Sequence, residues 1–139
     1  MYLPEWQTVE SKASRVVWET GLVRKGLGLC HGVTGNAWPW LLLAHSTRSA
    51  KTTLSRALTF LVHATELPPI VQDPLLPYGI PDHPYSMFEG LAGAVCAWAD
   101  ACVIIKTFLD GDDDGEGDAM IAPVLGLPGM GGFGPMGII

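Results

Sequence analysis

The sequence predicts an all-α fold, and three observations carry that prediction. Two stretches, 37–45 and 91–109, are apolar on every side, as helices enclosed within a larger α structure are. Each is opened by a Gly-x-x-Gly step, Gly32 to Gly35 and Gly90 to Gly93, which makes a small internal repeat. Between them, 47–67 places apolar residues on one helical stripe and charged or polar ones on the other. An all-apolar helix followed by an amphipathic one is the alternation expected when inner helices are wrapped by outer ones.

Taken in order, the first element is 6–20, behind Pro4. Val9, Ala13, Val16 and Val17 fall at helical spacing while Lys12, Arg15 and Glu19 face away, which predicts an amphipathic helix with one buried side, ending near Gly21. The second helix follows a glycine-rich turn. Pro39 belongs in its first turn, where a missing N–H does no harm, with Asn36 or Thr34 as the N-cap. In the third helix Ala50, Leu54, Ala57, Leu58, Leu61 and Val62 form the stripe, opposite Arg48, Lys51, Ser55 and Arg56. Residues 67–84 hold six of the eleven prolines, so a long ordered loop is expected there rather than helix or central strand. The fourth helix, from Gly90, is expected to be buried, because Asp100 and Lys106 within it fit a bilayer poorly.

After Leu109 comes a run of aspartates and glycines through Asp118, then a Gly/Pro/Met-rich end. Such a composition cannot bury enough surface to order itself, so a domain over 1–110 and a disordered acidic, Gly-rich tail over 111–139 are expected, with 121–127 able to dock locally. Asp110, Asp112, Asp114 and Gly115 match the first half of a calcium loop. Its twelfth position is Ile121 instead of Glu, so a solvated acidic linker is the better reading.

Composition narrows the function classes. With 139 residues the chain makes one domain, yet 48% of it is hydrophobic, mean hydropathy is +0.29 and only 16% is charged, against about a quarter in ordinary soluble domains. Apolar surface in that excess calls for a membrane or for further protein to cover it. The net charge of −6 offers no basic footprint for nucleic acid. Glu5, Glu10, Lys12, Arg15 and Glu19 interrupt the beginning of the chain, so no secretory signal is expected, and with Asp100 and Lys106 inside the longest apolar run no transmembrane segment is expected either; the location read from this is cytoplasmic. Three cysteines, Cys30, Cys96 and Cys102, do not form a disulfide framework; Cys96 and Cys102 are expected as buried thiols. His45, His63 and His83 are expected at the surface or as caps, and Asp100 needs a buried partner or a polar edge.

The chemistry-bearing stretch runs from Arg24 to Ala37, where Cys30 and His31 stand side by side with Gly26 and Gly28 before them and Gly32 and Gly35 after. Adjacent residues on a regular helix point about 100° apart, so the two side chains converge on one ion only where the backbone turns sharply, which glycines permit. A thiolate with an imidazole suits zinc, whose catalytic sites take three protein ligands, Cys₂His among them, and keep a fourth position open. The third ligand must come from elsewhere.

Two motifs in order, Gly26-x-Gly28-Leu29-Cys30-His31-Gly32-x-x-Gly35-Asn36-Ala37 and Pro81-Asp82-x-Pro84-Tyr85-Ser86-Met87-Phe88-Glu89-Gly90-Leu91-Ala92-Gly93, resemble those of the lanthionine synthetase C-like (LanC-like) family. The resemblance covers roughly the first hundred residues, the last part of the family's longer α/α toroid, so it implies a partial toroid of inner and outer helical hairpins. It also implies zinc, held by Cys30, His31 and a further cysteine upstream of this segment. The implied chemistry is addition of a thiol, from glutathione or a peptide cysteine, to dehydroalanine or dehydrobutyrine in a peptide, with the family's acid and base residues upstream, so no catalytic residue is assigned here. The alternatives are a non-catalytic zinc- or glutathione-binding module and an interaction module joined to an upstream portion or an oligomer partner. Peripheral membrane association, known in the family, has no lipidation motif or basic amphipathic helix here to carry it.

Eukaryotic members carry a lysine near bound glutathione at the place of Lys25, which assigns it to substrate binding as a point charge. A solvated lysine at a helix end is the plainer alternative. The arginine such members show before the Pro-Asp motif is Gly79 here. Glu89 is the second candidate for substrate binding, against ordinary helix-dipole complementation in a first turn. Asp82, Tyr85 and Ser86 share its loop.

Overall fold

The computed structural model describes residues 4–46, 50–75 and 77–111. Four α-helices follow one another: α1 (Pro4–Thr20), α2 (Val33–Ser46), α3 (Ala50–Ala64) and α4 (Leu91–Gly111). Among the described residues there is no strand, and the all-α expectation holds. The tail expected over 111–139, with its calcium-loop half-match, lies outside the described residues from 112 onward.

The core sits where α2, α3 and α4 meet. α2 contributes Val33, Ala37, Trp38, Trp40, Leu41 and Ala44, all buried, and α3 answers with Leu54, Ala57, Phe60, Leu61 and Ala64. From α4 come Ala94, Ala97, Ala101 and Ile104, a stripe of one face at three- and four-residue spacing. Small residues dominate that stripe, so the helix lies close against its neighbours. The half-buried Trp98 spans the remaining gap, its indole N–H donating to the Leu61 carbonyl at 3.1 Å.

α2 begins at Val33, four residues earlier than its apolar run suggests. The glycine-rich turn supplies the acceptors that a helix start lacks: the Val33 N–H donates to Gly26 C=O at 3.0 Å and the Gly35 N–H to Gly28 C=O at 3.2 Å. Pro39 therefore lies in the second turn, on an exposed part of the helix. Asn36 is no cap; its amide donates instead to the Gly21 carbonyl at 2.7 Å and fastens the end of α1 to α2.

In α3 the buried face is rotated from the expected stripe. Val62 is 64% exposed, while Phe60, which the stripe omitted, is fully buried. Phe60 is drawn inward because it meets Trp18 of α1 edge to face, with ring centroids 6.0 Å apart.

Two faces depart from the sequence expectation. The apolar side of α1 is open: Val9 is 58% and Val16 55% exposed, with only Val17 packed against the core. No described element covers Val9 and Val16; α1 meets the body through Val17 and Trp18 near its C-terminal end, with open clefts between its middle and α2 and α3. α4 is not enclosed either, since Val95, Ala99, Cys102 and Leu109 form an exposed line opposite the buried stripe. Cys102 is thus an exposed thiol, and Cys96 only half-buried. Leu91–Leu109 is the stretch among the described residues long and apolar enough to cross a membrane; one of its faces serves the core here.

The proline-rich segment is an ordered loop, as expected. Leu67 and Pro68 are buried, and Ile70 and Val71 both donate their N–H to Leu67 C=O. His63 is a tether here and neither a free surface residue nor a cap: its Nε2 lies 2.8 Å from the Tyr78 hydroxyl, the two rings meet edge to face, and Nδ1 lies 3.5 Å from Glu66.

Candidate functional site

The Cys30–His31 turn and the loop before α4 are built on the same plan and pressed together. In the first copy Gly26 C=O accepts from the Val33 N–H, the first residue of α2; in the second Pro84 C=O accepts from the Leu91 N–H at 2.8 Å, the first residue of α4. Gly35 lies against the Leu29 carbonyl as Gly93 lies against that of Met87. The internal repeat is therefore a shared loop-to-helix knot, and in it Cys30 corresponds to Phe88 and His31 to Glu89.

The knots meet at these matched positions. The Cys30 N–H donates to the Phe88 carbonyl at 2.8 Å. A Cβ on Gly28 would stand 2.3 Å from the Glu89 carbonyl oxygen and 2.8 Å from its Cα, so the two backbones are in contact and only glycine allows the approach. Gly26, at φ +93°, turns the chain back beneath the turn. Leu29 is buried between them, while Cys30 and His31 project outward, both exposed. Rigid backbone with exposed donors is what a ligand-presenting turn requires.

Lys25 lies on the turn just before this knot, beyond the end of α1, so it does not complement that helix's dipole. Residue 79 is beside it: the Gly79 N–H donates to Arg24 C=O at 2.9 Å, and its own carbonyl stands 3.0 Å from where a Gly26 Cβ would be. Glu89 is half-buried in the second knot, its N–H donating to Ser86 Oγ at 3.2 Å. Asp82, His83 and Tyr85 are exposed on the same loop.

Among the described residues no three His, Cys, Asp or Glu side chains are close enough to hold one ion, so Glu89 does not complete a set with Cys30 and His31. Cys96 stands apart, its Sγ 4.0 Å from Met87 Sδ. Asp100, on α4, has one carboxylate oxygen buried without a partner among the described residues, and this burial pushes its pKa up. Sequence reasoning missed the Met87 sulfur and the ring contacts of Arg56, since neither leaves a mark in local spacing.

Paired helices whose Gly-x-x-Gly ends present an exposed Cys-His turn define the class: an α-helical protein built on two matched loop-to-helix repeats. Residues 7–102 match the model of the lanthionine synthetase C-like proteins, and the chain belongs to that family. It is 38% identical over 94 residues to the Glutathione S-transferase LANCL1 of Danio rerio and 39% identical over 93 residues to the LanC-like protein GCL1 of Arabidopsis thaliana. Each match covers 64% of this chain and 20% of the relative, so the chain spans about a fifth of the length of the curated relatives it matches.

Proposed function

We propose that this chain forms part of a LanC-like thiol-addition protein in which Cys30 and His31 supply two of the three protein ligands of a catalytic zinc ion. The observation that supports this most directly is the presentation of both side chains, exposed, on a turn whose backbone is fastened to the matched loop through Phe88 and Glu89. Their chemistry fits the metal, since thiolate and imidazole are zinc donors. The third ligand and the acid and base groups come from outside the described residues. A zinc ion held there would favour the thiolate form of a substrate thiol and so supply a nucleophile at neutral pH.

The reaction adds S–H across the α,β double bond of dehydroalanine or dehydrobutyrine in a peptide: the C–S bond forms at the β carbon and the α carbon takes up a proton. Similarity to a relative named as a glutathione S-transferase favours glutathione as the thiol. In this reading Lys25 meets one of the tripeptide's carboxylates as a point charge, and Glu89 borders the site from the second knot.

Zinc content and affinity of the purified chain, beside Cys30→Ala and His31→Ala, test the assignment. Weak zinc binding by the natural chain, as two ligands without the third allow, and its loss in both variants are the expected result. Variants that retain zinc with undiminished affinity would overturn it.

The open faces of α1 and α4 support a second reading, an interaction module whose exposed apolar stripes bind further protein. A monodisperse monomer by sedimentation that binds no hydrophobe-sensing dye would defeat it.

A further inference from the structure

We propose that the cleft between α1, α2 and α3, which shares no lining residue with the Cys30–His31 turn, is a binding site for an oxyanion group, a phosphate or a carboxylate, gripped by Arg56. The cleft encloses about 400 Å³, within the range of small-ligand sites of about 300–1,000 Å³. Its centre is unusual. The Arg56 guanidinium carbon stands 5.2 Å from the Trp18 ring and 5.0 Å from the Trp40 ring, so one cation is held by two indoles from two different helices.

Contact with two ring systems restrains the guanidinium, and contact of this kind engages its π faces while the N–H edge stays free to donate. A planar fork restrained in advance is the arrangement that binds a carboxylate or phosphate through two parallel hydrogen bonds. Arg56 is half-buried and has no carboxylate partner among the described residues. A second cation, Arg15, lines the same cleft, engaged only at 3.9 Å by Glu19. Ser11 and Ser14 add hydroxyl donors from α1.

The lining itself holds two cations and one carboxylate, Glu10, with Glu19 beside Arg15 outside it. Affinity for an anion therefore rests on the restrained Arg56 fork rather than on the overall field of a chain of net charge −6. Trp40 is itself buried, and its indole N–H has no acceptor among the described residues, so the cleft wall holds an unpaired donor as well.

The test is titration of the ¹⁵N-labelled full chain with inorganic phosphate, and separately with acetate, at constant ionic strength maintained with chloride. Five tryptophans give five indole N–H signals. Saturable movement of the Trp18 and Trp40 signals, with that of Trp98 unmoved at its bond to Leu61, is the expected result. Arg56→Lys, which keeps the charge and loses the fork, should weaken binding about tenfold, and Arg15→Ala about threefold. Stronger saturation by phosphate or by acetate identifies which oxyanion the cleft prefers. No saturable movement, equal movement with chloride alone, or unchanged affinity in both variants would overturn the proposal. Should Arg56→Lys fail to fold, the exposed Arg15 variant decides alone.

Discussion

Replacing Gly28 by alanine puts the contact between the two knots to a quantitative test. The new methyl would sit 2.3 Å from the Glu89 carbonyl oxygen, 2.5 Å from its carbon and 2.8 Å from its Cα. All three are backbone atoms, so no side chain can swing aside. The loop over 83–90 must move away from the Cys30 turn, and that movement breaks the 2.8 Å bond from the Cys30 N–H to Phe88 C=O. Overpacking of this kind costs about 1–3 kcal/mol, and a lost backbone hydrogen bond about 1 kcal/mol more. The sum, about 2–4 kcal/mol, is a large share of the roughly 5–15 kcal/mol that stabilises a typical domain. Gly79→Ala is the control, because a Cβ there meets its nearest neighbour, the Arg24 carbonyl, at an ordinary 3.5 Å. Urea denaturation gives the stability difference, and amide exchange at Cys30 reports the bond itself. If Gly28→Ala matches Gly79→Ala in both readouts, the knots are not held together as described.

Further consequences concern the core and the long loop. Burial raises the Asp100 pKa, so its folded value lies above its unfolded value of 3.8. Its favourable contribution is then full below the unfolded pKa and lost as pH rises through the folded one. Asp100→Asn should flatten the stability profile from about pH 4 upward, measured by urea melts across that range. Tyr78→Phe removes the 2.8 Å bond to His63 and should cost about 1 kcal/mol while speeding amide exchange near residues 77–80, the part of the loop that bond anchors. Phe60→Ala, which empties a buried ring site between α3 and Trp18, should cost about 3–5 kcal/mol in the same melts.

The all-helical architecture was legible in sequence because helix periodicity and proline exclusion are local. α3 announced itself by the spacing of Leu54, Ala57 and Leu61, and the loop by its six prolines. The Cys30–His31 turn was legible for a similar reason, since thiol, imidazole and glycines all lie within one short stretch. The repeat too was visible as Gly-x-x-Gly, though not that its copies would touch. Which faces of α1 and α4 are covered depends on neighbours that periodicity cannot name, so Val9, Val16 and Cys102 came out exposed where burial was expected. The early start of α2 was decided by carbonyls of Gly26 and Gly28 lying seven residues before their donors, acceptors that exist only once the turn has folded. Likewise the inward turn of Phe60 and the capture of Arg56 needed Trp18, more than thirty residues away, to be brought alongside. Spacing along the chain set the backbone path and the donor types. Contacts across the fold decided which side chains are buried, which are presented and what each one faces, because those free energies belong to pairs of segments and not to either alone.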